Sequence, residues 1–509
     1  MTITKSLDVG AIASATSVSV QQKNQQTAAT YRPEVLVCIG QAQTGKTVVE
    51  NELVLASGNA DDIGVAYGFG SPLHRMARKL FPKSGNGSKV DTYFMAVEAP
   101  GTSSAEVQTI TIEAEDKIKK SLNAYFVLND LVFEAAADVA GKVATNAHNN
   151  PAKAPRGTNL NSFEKTAYPF TLIKGMTAVE AANAIKEALE ENLELPFTIA
   201  IGETDGTLVL TAKWAGSDSY FEFEILNEKY EAIDASIYGV TFTTTRTTEA
   251  AGVGDIPEEA LEQMDEEFGV TRVISQYATS GVLDAMQEYF EAFHDGLIAQ
   301  YVICYSAIEA PESNIVPGTW DVQSLIEAGN DRREDSINVQ IVGDFGKLRK
   351  LKYAERNRLA KAGFSNLVKK QDGSYKLMDL ITFYHPIGKT NPLFRFDRDI
   401  TVVGNSAYDF MSTFRDSEEW KSVILVGAND ITTNPAARTL DDVKAAINTR
   451  ISLQGQAGWI ANYAEAQKET EVEIDSSNPN RVNMNPKFDL SGVGRIFDMT
   501  NFIGFNFKG

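Results

Sequence analysis

The segment Gly40 to Thr47 reads Gly-Gln-Ala-Gln-Thr-Gly-Lys-Thr, a complete match to the P-loop pattern G-x-x-x-x-G-K-T. It directly follows an apolar run, Val35 to Ile39, that predicts a buried strand. In a true P-loop the backbone N–H groups surround the phosphates, the Lys contacts the outer phosphates and the Thr hydroxyl binds Mg²⁺. The match therefore allows two kinds of fold: a nucleotide-binding strand–loop–helix, or another fold in which the pattern is fortuitous.

The residues after Lys46 suit either fold. A P-loop must open a helix, because the helix N-terminus supplies donors and positive dipole, and a helix here would place Val49, Leu53 and Ala56 on one face. Three Val and two Leu among residues 47–55 suit a strand–turn–strand at least as well, with residues 41–46 as the polar turn. The acidic residues that could complete a nucleotide site, Glu98 and Asp430, follow common core-strand patterns and do not decide between the two.

Composition narrows the class of protein. A length of 509 residues predicts two to four domains, and a net charge of −21 argues against a nucleic-acid surface over the whole chain. Cys38 and Cys304 lie inside apolar runs, so we expect small core residues made in a reducing cytosol. The first twenty residues lack the basic and apolar regions of a signal peptide, and no run approaches twenty apolar residues, so we expect no membrane insertion.

The residue types that usually carry catalysis are scattered. The four histidines have no metal-binding spacing, and the chain contains neither a G-x-S-x-G elbow nor a Cys-x-x-Cys pair. We therefore expect a protein that is not an enzyme and needs no cofactor or metal. These histidines are His74, His148, His294 and His385.

The pattern of predicted elements indicates an α/β (α+β) protein of several domains. Residues 1–33 are polar and small and form an N-terminal arm, whereas residues 34–104 begin an α/β core. Residues 105–250 are dominated by alternating strands around one helix with a capping box, Thr177 with Glu180, and form an inserted β-rich module. The core resumes over 251–472, and 473–509 form a C-terminal β arm.

Both arms contain segments that can form strands. Val18 and Val20 alternate with serines near the N-terminus, and Phe502, Ile503, Phe505 and Phe507 lie at the end of the chain. An unpaired apolar strand at a chain end would promote aggregation. We therefore expect these segments to add to a sheet, either of the same chain or of a neighbour.

One helix is basic in an otherwise acidic chain. Over residues 347–361, seven basic residues face one acidic residue, Glu355, which gives a net charge of +6. We expect this helix to bury Leu348, Leu351, Ala354, Leu359 and Ala362. Its basic side could be a solvated surface with local ion pairs, or it could dock on an acidic partner through Lys347, Arg349, Lys350 and Lys352.

The order of these elements resembles that of contractile tail sheath proteins of the phage Mu-like kind. The stretch from Gly68 to Leu73, with Arg75 and Met76 after it, is similar to the family's glycine–serine turn and helix. Residues 177–192, Leu195-Pro196 and 208–213 with Gly216 resemble its inserted β module. Asn478-Pro479-Asn480-Arg481-Val482 is similar to the turn that leads into its last strands.

The resemblance implies a discontinuous sheath core with arms that donate strands to neighbouring subunits. It implies stacked six-fold rings of this chain around a tail tube, which contract to drive the tube through the host envelope for genome delivery. The implied partners are further copies of the chain, the tail tube protein, the baseplate and the tail terminator, without direct nucleic-acid contact. The tube would face the basic helix, and the implied location is the virion, after synthesis in the host cytoplasm.

In such sheaths the stretch aligned with residues 40–47 is a strand–turn–strand. We therefore interpret Gly40, Gly45, Lys46 and Thr47 as a decoy P-loop. Two alternatives stay open. The sheath of an R-type bacteriocin or of a type VI-like injection device would share the same architecture, and a P-loop ATPase that uses Gly40–Thr47 is the more remote one.

Overall fold

A computed structural model describes residues 28–81, 88, 90–128, 167–221, 223–229, 231–265, 268–277, 280–294, 302–304, 340–341, 352–361, 366–369, 375–379, 396–420, 422–430 and 433–491. The chain divides into two compact units. The terminal unit comprises Met1–Arg32 with Asn405–Gly494, and the central unit comprises Pro33–Gly404 with Arg495–Gly509. Helices and strands are mixed in several sheets, which confirms the predicted α/β (α+β) class with several domains.

The strands are numbered in chain order. They are β1 (Val35–Gly40), β2 (Val54–Leu55), β3 (Asp91–Ala96), β4 (Val107–Ala114), β5 (Leu122–Leu128), β6 (Ala167–Leu172), β7 (Phe197–Ile201), β8 (Thr207–Ala212), β9 (Phe223–Asn227), β10 (Val240–Thr248), β11 (Arg272–Ser275), β12 (Ile303–Cys304), β13 (Gln340–Ile341), β14 (Asn366–Lys369), β15 (Tyr375–Asp379), β16 (Ile424–Leu425), β17 (Ala437–Arg438), β18 (Ile460–Ala461), β19 (Glu471–Ile474), β20 (Val482–Asn485) and β21 (Asp489–Leu490).

The described α-helices are numbered in the same way. They are α1 (Ala60–Tyr67), α2 (Pro72–Leu80), α3 (Ala178–Glu190), α4 (Ala235–Tyr238), α5 (Glu258–Glu262), α6 (Ser280–Glu291), α7 (Tyr353–Lys361), α8 (Asp397–Met411), α9 (Leu440–Gln456) and α10 (Tyr463–Glu469).

The central unit is built around a five-stranded sheet in the order β12-β11-β1-β3-β2. Strands β12, β11, β1 and β3 run parallel, and β2 joins antiparallel to β3. Residues Leu36–Ile39 of β1 are completely buried, which explains why this strand is apolar without alternation. Arg272 of β11, also completely buried, pairs with Glu34 and Asp397, so it joins the beginnings of β1 and α8 to the sheet.

Two antiparallel sheets follow between residues 105 and 250. Their orders are β10-β4-β8-β7 and β6-β5-β9. The helix α3 begins with the predicted capping box, in which the side chains of Thr177 and Glu180 each accept from the other's backbone N–H. One hydrophobic cluster, drawn from residues 105–242, joins α3 to both sheets. Its members include Phe126, Phe197, Leu208, Leu210 and Ile185.

The terminal unit contains α9 and α10 with three two-stranded sheets. The pairs are β16 with β17, β18 with β21, and β19 with β20. Val443, Ile447 and Ile451 of α9 form the buried stripe of that helix. The predicted boundaries at residues 33, 104, 250 and 472 stay predictions.

The strand–turn–strand expected after β1 was wrong in detail. The strand after residues 41–46 is β2, which pairs with β3 and not with β1, so the predicted hairpin does not form. Strand β10 begins only at Val240, because α4 occupies residues 235–238 and ends at Gly239 in the left-handed region. On α3, Val179 is 38% exposed, whereas Ala181 lies in the core.

Candidate functional site

The P-loop match at residues 40–47 lies in an irregular loop at the carboxyl end of β1. No helix follows Thr47, because residues 48–59 are also irregular apart from β2, and the next helix is α1 at Ala60. Lys46 and Thr47 are exposed, and Gly45 has a φ of 80°. The loop therefore lacks the helix N-terminus on which phosphate binding by this motif depends.

The backbone donors of this loop are bonded to oxygens of the protein itself. Gln43 N donates to Tyr67 O at 2.8 Å, Thr44 N to Lys213 O at 2.7 Å, and Lys46 N to Gln43 O at 3.0 Å. A phosphate cradle needs these N–H groups to converge on the ligand. In this loop they point to separate acceptors, so the geometry differs from that of a phosphate-binding loop.

Residues 213–218 cover the carboxyl ends of β1 and β11, which is the place where open α/β sheets usually bind ligands. Gln41 N donates to Gln276 Oε1 at 2.6 Å, and Gln276 Nε2 donates to Asp218 Oδ2 at 2.5 Å. The side chain of Gln41 also exchanges hydrogen bonds with the backbone of Ala215, at 2.6 and 3.3 Å. The crevice is thus filled by the chain's own amides and carboxylate.

Burial perturbs the ionisable groups beside this crevice. It raises the pKa of Asp218 to about 6, because a desolvated carboxylate is less stable than the neutral acid. It lowers the pKa of Lys213 to about 8 for the corresponding reason, although Lys213 Nζ donates to Phe69 O at 2.6 Å and to Leu193 O at 2.8 Å.

A second candidate site, in the terminal unit, holds the first described residues of the chain. The carboxylate of Asp409 on α8 is completely buried and accepts from Thr30 N at 2.7 Å. It also accepts from Arg450 Nε at 3.0 Å, from Arg450 Nη2, and from Gln454 Nε2 at 2.8 Å. Four donors on one buried carboxylate satisfy its acceptors, which a buried charge requires. We call Asp409, Arg450 and Gln454 the arm anchor.

Trp459 joins the N-terminal segment to the C-terminal tail within the terminal unit. Its completely buried indole meets the ring of Tyr31 edge to face, with centroids 5.1 Å apart. Its carbonyl oxygen accepts from Ser491 N at 2.8 Å, where β21 pairs with β18. Both ends of the described chain are therefore held at one residue.

The hairpin of β19 and β20 is a further exposed feature of this unit. Ile474 and Met484 are 42% and 37% exposed, and no other described strand pairs with either edge of the hairpin. Its turn is closed by Asp475, whose carboxylate accepts from Ser477 N and Asn478 N. The Ser477 hydroxyl also donates to Asp475, at 2.6 Å, and this bond, followed by the backbone ones, lowers the pKa of Asp475.

The other predicted site residues fall mostly outside the described part of the chain. This holds for the arm positions Val18, Val20, Phe502, Ile503, Phe505 and Phe507, and for Lys347, Arg349 and Lys350. Lys352 is exposed immediately before α7, and Arg358 and Lys361 are exposed on that helix. Ala354, expected to be buried, is exposed as well, so α7 turns more of its surface to solvent than its sequence pattern indicated.

The arm anchor was missed in the sequence, although a signal for it existed. Val443, Ile447, Arg450 and Gln454 recur at helical spacing on one face of α9, and all four are buried. A charged residue inside an apolar stripe requires a buried partner. The pattern could therefore have indicated an ion pair, but not that Asp409 and the backbone of Thr30 would complete it.

No helix in the described ranges is both long and apolar enough to span a bilayer. No group of three or more His, Cys, Asp or Glu side chains in the same ranges could hold a metal ion.

Comparison with known proteins gave structural matches only. No protein-family model matches the chain, and no curated protein matches it. Among solved structures, the chain is similar to a sheath tail protein from Desulfitobacterium hafniense at 11% identity and a TM-score of 0.42, covering 90% of this chain and 93% of that one. It is similar to a sheath tail protein from Listeria innocua at 11% identity and a TM-score of 0.43, covering 92% and 94%. A cryo-EM structure of the anti-feeding prophage baseplate matches at 12% identity and a TM-score of 0.32, over 50% of this chain and 76% of that one.

Proposed function

We propose that the chain is a structural subunit of a contractile tail sheath. Copies of it would polymerise as stacked six-fold rings around a tail tube and contract to drive the tube through a host envelope. The observation that supports this most is the arm anchor with Trp459, which fixes the roots of both chain ends in one compact unit. Two arms that extend from the same compact unit can bind two neighbouring subunits. Once one arm is bound, the other binds at high effective concentration.

The hairpin of β19 and β20 offers a place where an arm could add. A two-stranded sheet is marginally stable in water, and additional strands stabilise it. Its edge backbone groups and its half-exposed Ile474 and Met484 would be covered by an incoming strand. Segments with alternating apolar residues, around Val18 and around Phe505, suit that role.

The proposed partners are further copies of the chain, the tail tube protein, the baseplate and the tail terminator, in a virion assembled in the host cytoplasm. The exposed basic residues around α7 would face an acidic tube. Reversing the charges of Lys347, Arg349 and Lys350 should weaken growth of sheaths on tubes without affecting empty sheaths. Equal growth of the variant and the wild type on tubes would contradict the docking role.

We further propose that Gly40, Gly45, Lys46 and Thr47 do not bind nucleotide. The proposal is supported by the absence of a helix in residues 48–59 and by the internal hydrogen bonds of Gln43, Thr44 and Lys46. A subunit without nucleotide binding in this loop would not respond to ATP through it.

The experiment that tests the function is negative-stain electron microscopy of the purified protein, with and without ATP. We expect hollow tubes of regularly stacked rings that are identical in both conditions. Dispersed particles at high protein concentration would contradict the sheath proposal, and rings that form only with ATP would favour the P-loop ATPase. An intact capsid on native particles would distinguish a phage sheath from that of a bacteriocin or secretion device.

A further inference from the structure

Strand β10 forms one edge of the sheet β10-β4-β8-β7. Within the described ranges, β4 is the only strand that pairs with it, from Val240 opposite Ala114 to Arg246 opposite Gln108. The residues from Thr243 to Thr248 are all exposed, so neither face of this part of the strand is covered. Backbone groups on the side away from β4 can therefore pair with a strand of another chain.

This edge has few of the features that usually keep exposed strands apart. Proteins protect such edges with lysine, proline or a bulge, and β10 contains neither lysine, proline nor an acidic residue. Its bulge lies between Arg246 and Thr248, which leaves the register from Val240 to Arg246 unbroken. The guanidinium of Arg246, its single charged group, donates to the Glu106 carboxylate at 2.7 and 2.8 Å. In a chain of net charge −21, β10 thus adds no net charge that would repel a second copy.

The sequence of β10 is nearly symmetrical about Thr244. Residues 241–247 read Thr-Phe-Thr-Thr-Thr-Arg-Thr. When two copies lie antiparallel with Thr244 opposite Thr244, each Thr243 faces a Thr245 and each Phe242 faces an Arg246. Cross-strand threonine pairs stabilise antiparallel sheets, and a guanidinium group is attracted to an aromatic ring. A shift by one residue would separate Phe242 from Arg246, so the symmetrical register is favoured.

Charged groups beside the two ends of β10 favour the same arrangement. Before the strand, Lys119 N donates to Tyr238 O at 2.9 Å, and Lys120 Nζ lies 5.6 Å from the centroid of the Tyr238 ring. Lys119 also pairs with Glu115. After the strand comes Glu249, whose side chain is 79% exposed. An antiparallel pair brings Glu249 of each copy towards the lysines of the other, whereas a parallel pair in register would place Glu249 beside Glu249.

We propose that two copies of the chain pair antiparallel through the outer edges of their β10 strands, with a two-fold axis at Thr244. The pair joins two four-stranded sheets into one continuous sheet. The contact extends over Phe242–Arg246 of each copy and is smaller than a standard stable interface, so the pair is weak and forms at high protein concentration.

The symmetry of this pair determines where it forms. A two-fold axis reverses one copy relative to the other, whereas stacked rings on a tube hold all copies in one direction. The pair therefore forms between unassembled subunits or between separate assemblies. It does not depend on the proposed sheath function, and either proposal can fail without the other.

Charge substitution at Thr244 tests the register, because only the residue on the two-fold axis faces itself. Thr244→Lys and Thr244→Glu each place like charges opposite one another, so each should abolish the dimer of the wild type. An equal mixture of the two variants should restore it, since Lys then faces Glu. Sedimentation velocity of the full chain over a concentration series, after removal of any tubes, measures the dimer. A dimer that persists in both variants, or one that the mixture does not restore, would overturn the proposal.

Cysteine cross-linking provides a second test, which decides the question where the wild-type dimer is too weak to detect. Residues directly opposite each other have Cα atoms about 4.5–5.5 Å apart, within the reach of a disulfide. Oxidation should therefore link two copies of Thr244→Cys. The matched control is Thr241→Cys, at an equally exposed position, where the two cysteines would lie roughly 20 Å apart. The wild type, oxidised in parallel, accounts for Cys38 and Cys304. Equal cross-linking of the two variants, or none in Thr244→Cys, would refute the pairing.

Discussion

Arg450 and Asp409 form a buried ion pair whose carboxylate also accepts the backbone N–H of Thr30. Arg450 Nη2 additionally contacts Ala28 O and Thr30 Oγ1, each at 3.4 Å. The pair therefore stabilises the terminal unit and fixes the path of the N-terminal segment at the same time.

Replacing Asp409 with Ala should destabilise the terminal unit by about 3–5 kcal/mol, because it leaves the guanidinium of Arg450 buried without its carboxylate. The backbone around Tyr31, a residue that is 37% exposed in the folded protein, should then lose its attachment, so chymotrypsin should cleave after Tyr31 much faster than in the wild type. Urea unfolding followed by tryptophan fluorescence measures the stability. Asp416→Ala removes an exposed ion pair with Arg415 and is the matched control, for which we expect little change. Wild-type cleavage kinetics in Asp409→Ala would show that the anchor does not hold this segment.

Removal of either arm should leave a folded subunit that does not polymerise. Deletion of residues 1–26 spares Thr30 and Tyr31, and deletion of residues 498–509 spares β21 and Ser491, so the described contacts of the terminal unit persist. Melting curves should change little, while electron microscopy should show no tubes. Long tubes formed by either truncated protein would exclude that arm as an assembly element.

Lys46→Ala should change neither nucleotide binding nor assembly. The Lys46 side chain is exposed and no helix N-terminus lies beside it, so the loop lacks the feature on which a P-loop phosphate site depends. Calorimetric titration with ATP and Mg²⁺ should give no saturable heat for either protein. Saturable binding that is lost in Lys46→Ala would instead support the ATPase.

Global stability should depend on pH through Asp218. Its pKa is raised in the folded protein, so the folded state binds the proton more tightly, and stability falls as the pH rises from about 4 through about 6. Asp218→Asn should match the wild type near pH 4 and exceed it at pH 7.5 by up to about 2–3 kcal/mol. Urea midpoints at the two pH values provide the comparison. If Asp218→Asn were less stable than the wild type at pH 7.5, the buried carboxylate of Asp218 would be stabilising the folded protein.

Local sequence signals predicted most of the regular elements. Ser71 with Pro72 is a typical pair for the N-cap and first position of a helix, and Ser71 Oγ accepts from His74 N at the start of α2. Two other signals also predicted their elements: the capping box of Thr177 and Glu180, and the continuous apolar run of β1. Each signal depends only on residues that are close in the sequence. These are the features that a single chain segment determines by itself.

The candidate sites could not be predicted in the same way, because their partners are distant in the sequence. Asp218 and Gln276 are 58 residues apart, and Asp409 and Thr30 are 379 residues apart. The P-loop match shows the same limit of local patterns. Its glycines and lysine satisfy a local pattern, whereas the acceptors that take up its N–H groups, on Tyr67 and Lys213, come from elsewhere in the fold.

The separation of 379 residues between Thr30 and Asp409 also determines when the N-terminal segment can dock during synthesis. A ribosome that adds about 5–20 residues per second needs roughly 20–75 s to pass from one residue to the other. During that interval no nascent chain can complete the arm anchor, and Trp459 appears later still. The N-terminal segment of a nascent chain therefore stays undocked from this unit until Asp409, Arg450 and Trp459 have all been synthesised.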